Sequence, residues 1–185
     1  MTQSIAEVVA ATDWLFGTDL SAGVHNALYF ALTHIGVCEV PPGSNRGPEI
    51  DSWATEFGSP LGSYWCALAV GKARKAGGLW IPLDNVGACN EWVLQGTKDG
   101  LTTTTPVPGA AVVYGNATHV AGGRYDGQLD AVHIGIVLRV DPVLLSIEGN
   151  TTIEGESRNG WIQTLKEVNK AHVLTYILPG DHSPC

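Results

Sequence analysis

The sequence predicts an α+β fold in which several helices are followed by an antiparallel β-sheet. In the first 100 residues the apolar side chains recur at helical spacing. Beyond them the apolar runs are short, rich in β-branched residues and separated by turns. The 185 residues include 23 Gly and 10 Pro, which indicates many tight turns rather than a helical bundle. This length predicts a single domain over residues 1–185, in which residues 1–22 form a helical N-terminal extension.

Five segments in the first half of the chain have the features of helices. The first combines a capping box, Ser4 with Glu7, with an apolar face that ends at Phe16. The second ends at Gly36, a residue type that commonly terminates helices. Segments rich in Pro, Gly and Ser separate the later ones and predict loops. We predict helices over residues 4–16, 23–36, 51–57, 65–76 and 88–95, with loops over 39–50 and 58–63.

The second half of the chain contains five apolar segments that predict strands. Each is short and rich in Val, Ile or Leu, and the longest, AVHIGIVLRV, includes His133. The four consecutive threonines at 102–105 predict a linker-like turn. We predict strands over residues 110–114, 131–140, 143–148, 161–166 and 172–178.

The charge balance is acidic, since 10 Lys and Arg residues stand against 18 Asp and Glu residues, for a net charge of −8. This balance excludes nucleic-acid binding that relies on a basic face. The first 14 residues contain no basic residue, which argues against a signal peptide. No apolar stretch is long enough to span a membrane. We therefore expect a chain that is synthesised in the cytoplasm without a signal peptide, binds no nucleic acid and does not insert into a membrane.

Cys66 is the cysteine with the strongest signature of a nucleophile. It opens a predicted helix directly after a loop, and the partial positive charge at a helix N-terminus lowers the pKa of a thiol. A buried structural thiol is the alternative interpretation. Cys38 and Cys89 are interpreted as buried or half-buried thiols, and Cys185 lies in a polar tail. No CxxC pair is present, so free thiols are expected.

His133, Glu148 and Asn150 are the polar residues in predicted strands that could serve such a thiol. An imidazole is the usual base for a thiol nucleophile, and Gly135 beside it would leave space for a substrate or for the helix of Cys66. Strand alternation places Glu148 and Asn150 on one side, where either could accept the second ring N–H of the imidazole. The alternatives are a structural histidine and a polar strand end that turns at residues 149–150.

The order of these residues and their surrounding motifs resembles the CHAP family of amidases and peptidases, and more distantly the NlpC-like peptidases. Both are papain-like cysteine hydrolases that act on bacterial peptidoglycan. The resemblance covers more than half of the chain, from about residue 39 to residue 150. The matching segments are EVPPGSNRGPEID at 39–51, WCA at 65–67, PVPGA at 106–110, HIGIV at 133–137 and EGN at 148–150.

The resemblance implies a papain-like fold in which the nucleophile-bearing helix packs on a central antiparallel sheet. It implies that Cys66 is the nucleophile, that His133 is the base, and that Glu148 orients the imidazole with Asn150 assisting or replacing it. The Cys66 backbone N–H would stabilise the oxyanion. Tyr64 or Asn45 are the candidates for the second oxyanion donor. The residues implied in substrate binding are Glu39, Asn45, Tyr64 and Trp65.

The resemblance further implies hydrolysis of a cell-wall amide, either as an N-acetylmuramoyl-L-alanine amidase or as a peptidoglycan endopeptidase. The enzyme would act on the wall or in the periplasm, as a phage lysin after release or as an antibacterial effector after injection. An effector implies an immunity or inhibitor protein as a partner, and a monomer is expected. The alternatives are a cysteine hydrolase of other amides and a non-enzymatic binding or virion module.

No metal or other cofactor is expected. Some CHAP lysins carry a calcium loop of spaced aspartates shortly before the nucleophile. The acidic residues upstream of Cys66 do not have the spacing of such a loop. They are Glu39, Glu49, Asp51 and Glu56.

Overall fold

The described chain is an α+β arrangement in which five helices precede a six-stranded antiparallel sheet. The structure is a computed structural model and describes residues 5–115, 131–152 and 160–180. The helices are α1 (Ile5–Phe16), α2 (Ala22–Thr33), α3 (Pro48–Glu56), α4 (Cys66–Ala76) and α5 (Cys89–Lys98). The strands are β1 (Thr102–Thr103), β2 (Ala111–Gly115), β3 (Ala131–Arg139), β4 (Leu145–Thr151), β5 (Ile162–Glu167) and β6 (Val173–Ile177).

The helices lie close to their predicted positions, with differences at their ends. The helix α3 begins three residues earlier than predicted, because Pro48 occupies its first turn, where the missing N–H of proline costs no hydrogen bond. The helix α2 ends at Thr33, and Gly36 follows with a φ of 95°. The capping box predicted for α1 includes Ser4, which lies outside the described residues.

The strands form one sheet in the order β1-β6-β2-β3-β4-β5. The prediction of a turn over residues 102–105 was wrong in part, because Thr102 and Thr103 pair with Ile177 and Tyr176 at the sheet edge. The strand β4 extends to Thr151, so the alternative interpretation of a turn at residues 149–150 was also wrong. The central strands β2 and β3 therefore lie between two well-paired neighbours.

The main core lies between the helices and the sheet. Apolar side chains of α2, α4 and α5 pack there against the central strands. The helix α1 contributes Ala11 and Leu15, both buried, so the N-terminal helix is packed on the rest of the fold. The helix α4 contacts both β3 and β4, which are the strands that carry the predicted site residues.

Arg74 fastens the C-terminal half of α4 to the sheet. It is fully buried, and its guanidinium donates hydrogen bonds to the carbonyl groups of Trp80 (3.2 Å), Gly109 (3.0 Å) and Leu178 (3.2 Å). The guanidinium also lies 5.4 Å from the centre of the Trp92 ring. Burial lowers the pKa of Arg74 to about 9. These contacts fix the helix whose first residue is the predicted nucleophile.

None of the helices in the described ranges is long and apolar enough to cross a membrane.

Candidate active site

Cys66 is the first residue of α4, and its thiol is buried where the helix meets the sheet. No side-chain cap occupies the N–H groups of its first turn, which lie at the helix end that carries Cys66. The thiol contacts Cys89, and its sulfur also interacts with the His133 imidazole and the backbone N–H of Ile134. The hydrogen bond with Cys89 is the largest influence on the thiol. Together with those from His133 and Ile134 it outweighs burial, so the pKa of Cys66 lies well below its usual value.

His133 lies on β3, which places its imidazole between Cys66 and Glu148. Its Nε2 is 3.0 Å from Glu148 Oε2, so Nδ1 is the nitrogen that remains for the thiol. The ring is buried and stacks on Tyr114, with 5.7 Å between the ring centres. Burial alone lowers the pKa of an imidazole, but hydrogen bonds and charges of Cys66 and Glu148 outweigh it and raise the pKa of His133 to about 10.

Glu148 lies on β4 and is the carboxylate that orients the imidazole. It is buried, yet Tyr114 Oη and Ser146 Oγ each donate a hydrogen bond of 2.6 Å to its Oε1. Burial acts to raise the pKa of Glu148, and the hydrogen bond and charge of His133 outweigh it, so the pKa lies below its usual value. Burial and the neighbouring carboxylate raise the pKa of Tyr114, so the phenol stays neutral and can donate.

Gly135 provides the space for this carboxylate. A Cβ atom at residue 135 would lie 2.6 Å from Glu148 Cγ and 3.1 Å from the carbonyl oxygen of Ile147. The space beside the imidazole is therefore filled by Glu148, and the expectation that it admits a substrate or the helix of Cys66 was wrong. A glycine is required at this position because the two strands pack closely there.

The imidazole of His133 lies between the Cys66 thiol and the Glu148 carboxylate, so the three side chains can act together. The low pKa of Cys66 and the high pKa of His133 favour transfer of the thiol proton to the ring at neutral pH. The carboxylate of Glu148 then stabilises the imidazolium. A thiolate at a helix N-terminus is a strong nucleophile, and the adjacent imidazolium can protonate a leaving group.

Cys89 is the residue at this site that the sequence interpretation missed as a participant. It is the first residue of α5, and its sulfur lies 3.7 Å from that of Cys66. The helix α5 packs against β3, and Asn90 accepts a hydrogen bond from the backbone N–H of Ala131 at 3.1 Å. The available signal was that Cys89, like Cys66, opens a predicted helix. That signal does not specify that the two helix ends meet.

Asn150 hydrogen-bonds to Asn45, and Glu148 is the residue that pairs with the imidazole. The Asn150 Nδ2 donates a hydrogen bond of 3.1 Å to Asn45 Oδ1, whereas Glu148 occupies the position beside His133 Nε2. The predicted alternation fails because the register shifts between Glu148 and Thr151, where Asn150 has a φ of 53°. This bulge redirects the Asn150 side chain towards the 39–47 loop.

The residues implied in substrate binding differ in exposure. Trp65 is fully buried, and its Nε1 donates a hydrogen bond of 3.0 Å to the buried Glu39. Gly149 packs on the Trp65 ring, because a Cβ there would lie 2.6 Å from it. The ring of Trp65 therefore has no surface for a substrate, and it serves to fix the start of α4. Tyr64 is 56% exposed and Asn45 is half-buried, so these two can reach a ligand.

Within residues 5–115, 131–152 and 160–180, no group of three His, Cys, Asp or Glu side chains is arranged to hold a metal ion. Cys185, in the polar tail, lies outside these residues. Comparisons with protein-family models, curated protein sequences and solved structures gave no match to this chain. The resemblance to the CHAP family therefore remains a prediction based on the motifs.

Proposed function

We propose that this protein is a cysteine hydrolase of amide bonds and that its substrate is bacterial peptidoglycan. The observation that carries the catalytic part is the buried hydrogen bond between His133 Nε2 and Glu148 Oε2, with the Cys66 thiol on the other side of the ring. Burial of a carboxylate carries a large desolvation penalty unless a partner compensates its charge. In the proposed mechanism that partner is the His133 imidazolium, which the carboxylate stabilises. The motif order described above supports the cell wall as the substrate.

The reaction begins with attack of the Cys66 thiolate on the carbonyl carbon of the amide. The negative charge that develops on the carbonyl oxygen is stabilised by the N–H groups at the start of α4. The His133 imidazolium donates its Nδ1 proton to the leaving nitrogen, which departs as an amine and leaves a thioester on Cys66. Neutral His133 then takes a proton from water, whose oxygen attacks the thioester. Collapse of the intermediate releases the acid and restores the thiolate–imidazolium pair.

The presence of a thiol, an imidazole and a carboxylate together at one site favours an enzyme over a binding module on the same fold. A module without catalysis has no need for a buried carboxylate that holds an imidazole beside a thiol of lowered pKa. The proposed setting is the cell wall or periplasm, reached by injection as an antibacterial effector or by release as a phage lysin. An effector of this kind would require an immunity protein in the producing cell.

The test is mass spectrometry of fragments released from purified peptidoglycan by the wild type and by Cys66→Ala. New fragments from the wild type alone are expected, and their masses name the bond. Free glycan identifies an amidase, and trimmed or unlinked peptides identify an endopeptidase. Equal release by both proteins would contradict the catalytic proposal. No release by either, with Cys66 still labelled by a thiol probe, would contradict only the assignment of the wall as substrate.

A further inference from the structure

Two thiols meet at the candidate active site, although the proposed reaction uses only one. We propose that Cys66 and Cys89 form a reversible intramolecular disulfide, in which Cys89 is the resolving thiol for the oxidised nucleophile. The proposal rests on the proposed function in taking Cys66 as the catalytic thiol. It adds a site of oxidative modification that switches the enzyme off and protects it.

The geometry of the two helix ends carries this proposal. Cys66 begins α4, Cys89 begins α5, and their sulfur atoms are 3.7 Å apart. A disulfide needs an S–S distance of about 2.05 Å, so the two sulfurs must approach by less than about 2 Å. The first residue of a helix has its side chain at the helix end, where rotation about the Cα–Cβ bond does not strike the preceding turn. Rotation of the two side chains can therefore shorten this distance.

The surroundings of the two thiols assign their roles. Cys66 is 4% exposed, and hydrogen bonds with Cys89, His133 and the backbone N–H of Ile134 outweigh its burial and lower its pKa, which favours the thiolate form. Cys89 is half-buried and adjoins it. A thiol of lowered pKa next to a second cysteine is one feature of redox-sensitive sites. Cys38 offers a contrast, because it lies in the bridge with Ile162 at the far edge of the sheet.

The oxidant in the proposed step is a peroxide. The Cys66 thiolate attacks one oxygen of hydrogen peroxide, which gives a sulfenic acid on Cys66 and releases hydroxide. The Cys89 sulfur then attacks the sulfenic sulfur, the S–O bond breaks and water leaves, so that the Cys66–Cys89 bond forms. Two electrons pass from the two thiols to the peroxide. A dithiol reverses the change by two exchange steps and is itself oxidised to a cyclic disulfide.

The presence of Cys89 determines which oxidation product Cys66 forms. With Cys89 present, the sulfenic acid is captured as a disulfide, which blocks attack on a substrate but is reversible. Without Cys89, further peroxide oxidises Cys66 to the sulfinic acid, which a dithiol does not reduce. The thiol pair therefore protects Cys66 from irreversible oxidation, and the enzyme regains activity under reducing conditions.

The test uses the full chain with Cys38→Ser and Cys185→Ser, so that Cys66 and Cys89 are the only thiols. Peroxide treatment is expected to lower the intact mass by about 2 Da and to give a peptide pair linked through the two cysteines. Dithiothreitol should restore the original mass. Addition of Cys89→Ser should instead give a gain of about 32 Da on Cys66 that dithiothreitol leaves in place.

A gain of about 32 Da in the protein that carries only Cys38→Ser and Cys185→Ser, at the same peroxide dose and without a linked peptide, would overturn the proposal. So would an equal rate of irreversible oxidation with and without Cys89. The readout is the mass of the protein and of its peptides, which does not depend on wall hydrolysis. Failure of the disulfide and failure of the proposed substrate are therefore separate results. The protein with only Cys38→Ser and Cys185→Ser shows whether the Cys66–Cys89 disulfide forms, even if the Cys89→Ser variant folds poorly.

Discussion

Replacing Glu148 with Gln tests the orientation of the imidazole. The substitution keeps the shape of the side chain but removes the charge that faces His133 Nε2 at 3.0 Å. The other oxygen accepts hydrogen bonds from Tyr114 and Ser146, both at 2.6 Å. If the Gln oxygen keeps those two donors, its NH₂ group faces the ring and needs an acceptor, which an imidazolium cannot provide. The ring must then become neutral or turn away.

The magnitude follows from the interaction that is lost. A hydrogen bond to a charged group contributes about 1.5–3 kcal/mol, and about 1.4 kcal/mol corresponds to a tenfold change in rate. We therefore expect Glu148→Gln to lower kcat/KM for amide hydrolysis by roughly 10- to 150-fold. Burial already lowers the pKa of His133, and the Glu148 charge is one of the influences that raise it to about 10. The variant should therefore lose activity at a lower pH on the alkaline side.

The assay is the pH profile of fragment release from purified peptidoglycan, with Ser146→Ala as the matched control. That control removes one donor to Oε1 but keeps the charge and the contact of Glu148 with His133. A smaller loss than that of Glu148→Gln is expected for it, because Glu148 keeps its charge, its hydrogen bond from Tyr114 and its contact with His133. A Glu148→Gln enzyme with the wild-type rate and an unmoved alkaline limb would refute the reasoning.

Three further predictions concern the pH range, the second thiol and the strand contact. Wild-type hydrolysis should be lost as the pH rises through about 10, because His133 then loses the proton that the leaving amine needs; the pH profile measures this. Cys89→Ala should move thiolate formation at Cys66 to higher pH, because the hydrogen bond that most lowers the pKa of Cys66 is removed. The rate of alkylation of Cys66 against pH measures this shift. Gly135→Ala should destabilise the fold by about 1–3 kcal/mol, measured by urea unfolding, because its Cβ would lie 2.6 Å from Glu148 Cγ.

Each of these has a control and a contradicting result. A rate that persists unchanged above the pKa of His133 would contradict the general-acid role. Cys38→Ala should leave the alkylation profile of Cys66 unmoved, and an equal shift in both cysteine variants would contradict the role of the neighbouring thiol. Gly17→Ala is the control for the strand contact, because a Cβ there meets neighbours only at 3.5 Å. Equal free energies of unfolding for Gly135→Ala and Gly17→Ala would contradict the close contact at Gly135.

The features that local patterns specify agree with the structure. Cys66 opens a helix because a loop precedes it and helix-forming residues follow, and the structure begins α4 at that residue. His133 falls within a strand because its neighbours are β-branched, and β3 includes it. The α+β order also follows from the change in apolar spacing near residue 100. In each case the relevant interactions lie within one element.

The features that the sequence did not specify depend on contacts between elements. The meeting of Cys66 with Cys89 requires two helices to be placed by the same sheet, which no spacing along the chain encodes. The side on which Asn150 lies depends on a bulge in β4, and ideal alternation cannot anticipate it. The buried indole N–H of Trp65 is paired with Glu39, which is distant in sequence. The sequence therefore indicated the residue types of the candidate site but not all of their partners.

The most direct test of the account is the rate of iodoacetamide alkylation of Cys66 against pH, in the wild type and in His133→Ala. The account predicts that wild-type Cys66 reacts as a thiolate well below the ordinary thiol pKa and slows only as the pH falls through that lowered value. In His133→Ala the transition should move to higher pH, because the imidazolium that stabilises the thiolate is gone. Coincident profiles for the two proteins, with Cys66 ionising near its ordinary pKa, would contradict the central claim that these residues form a reactive pair.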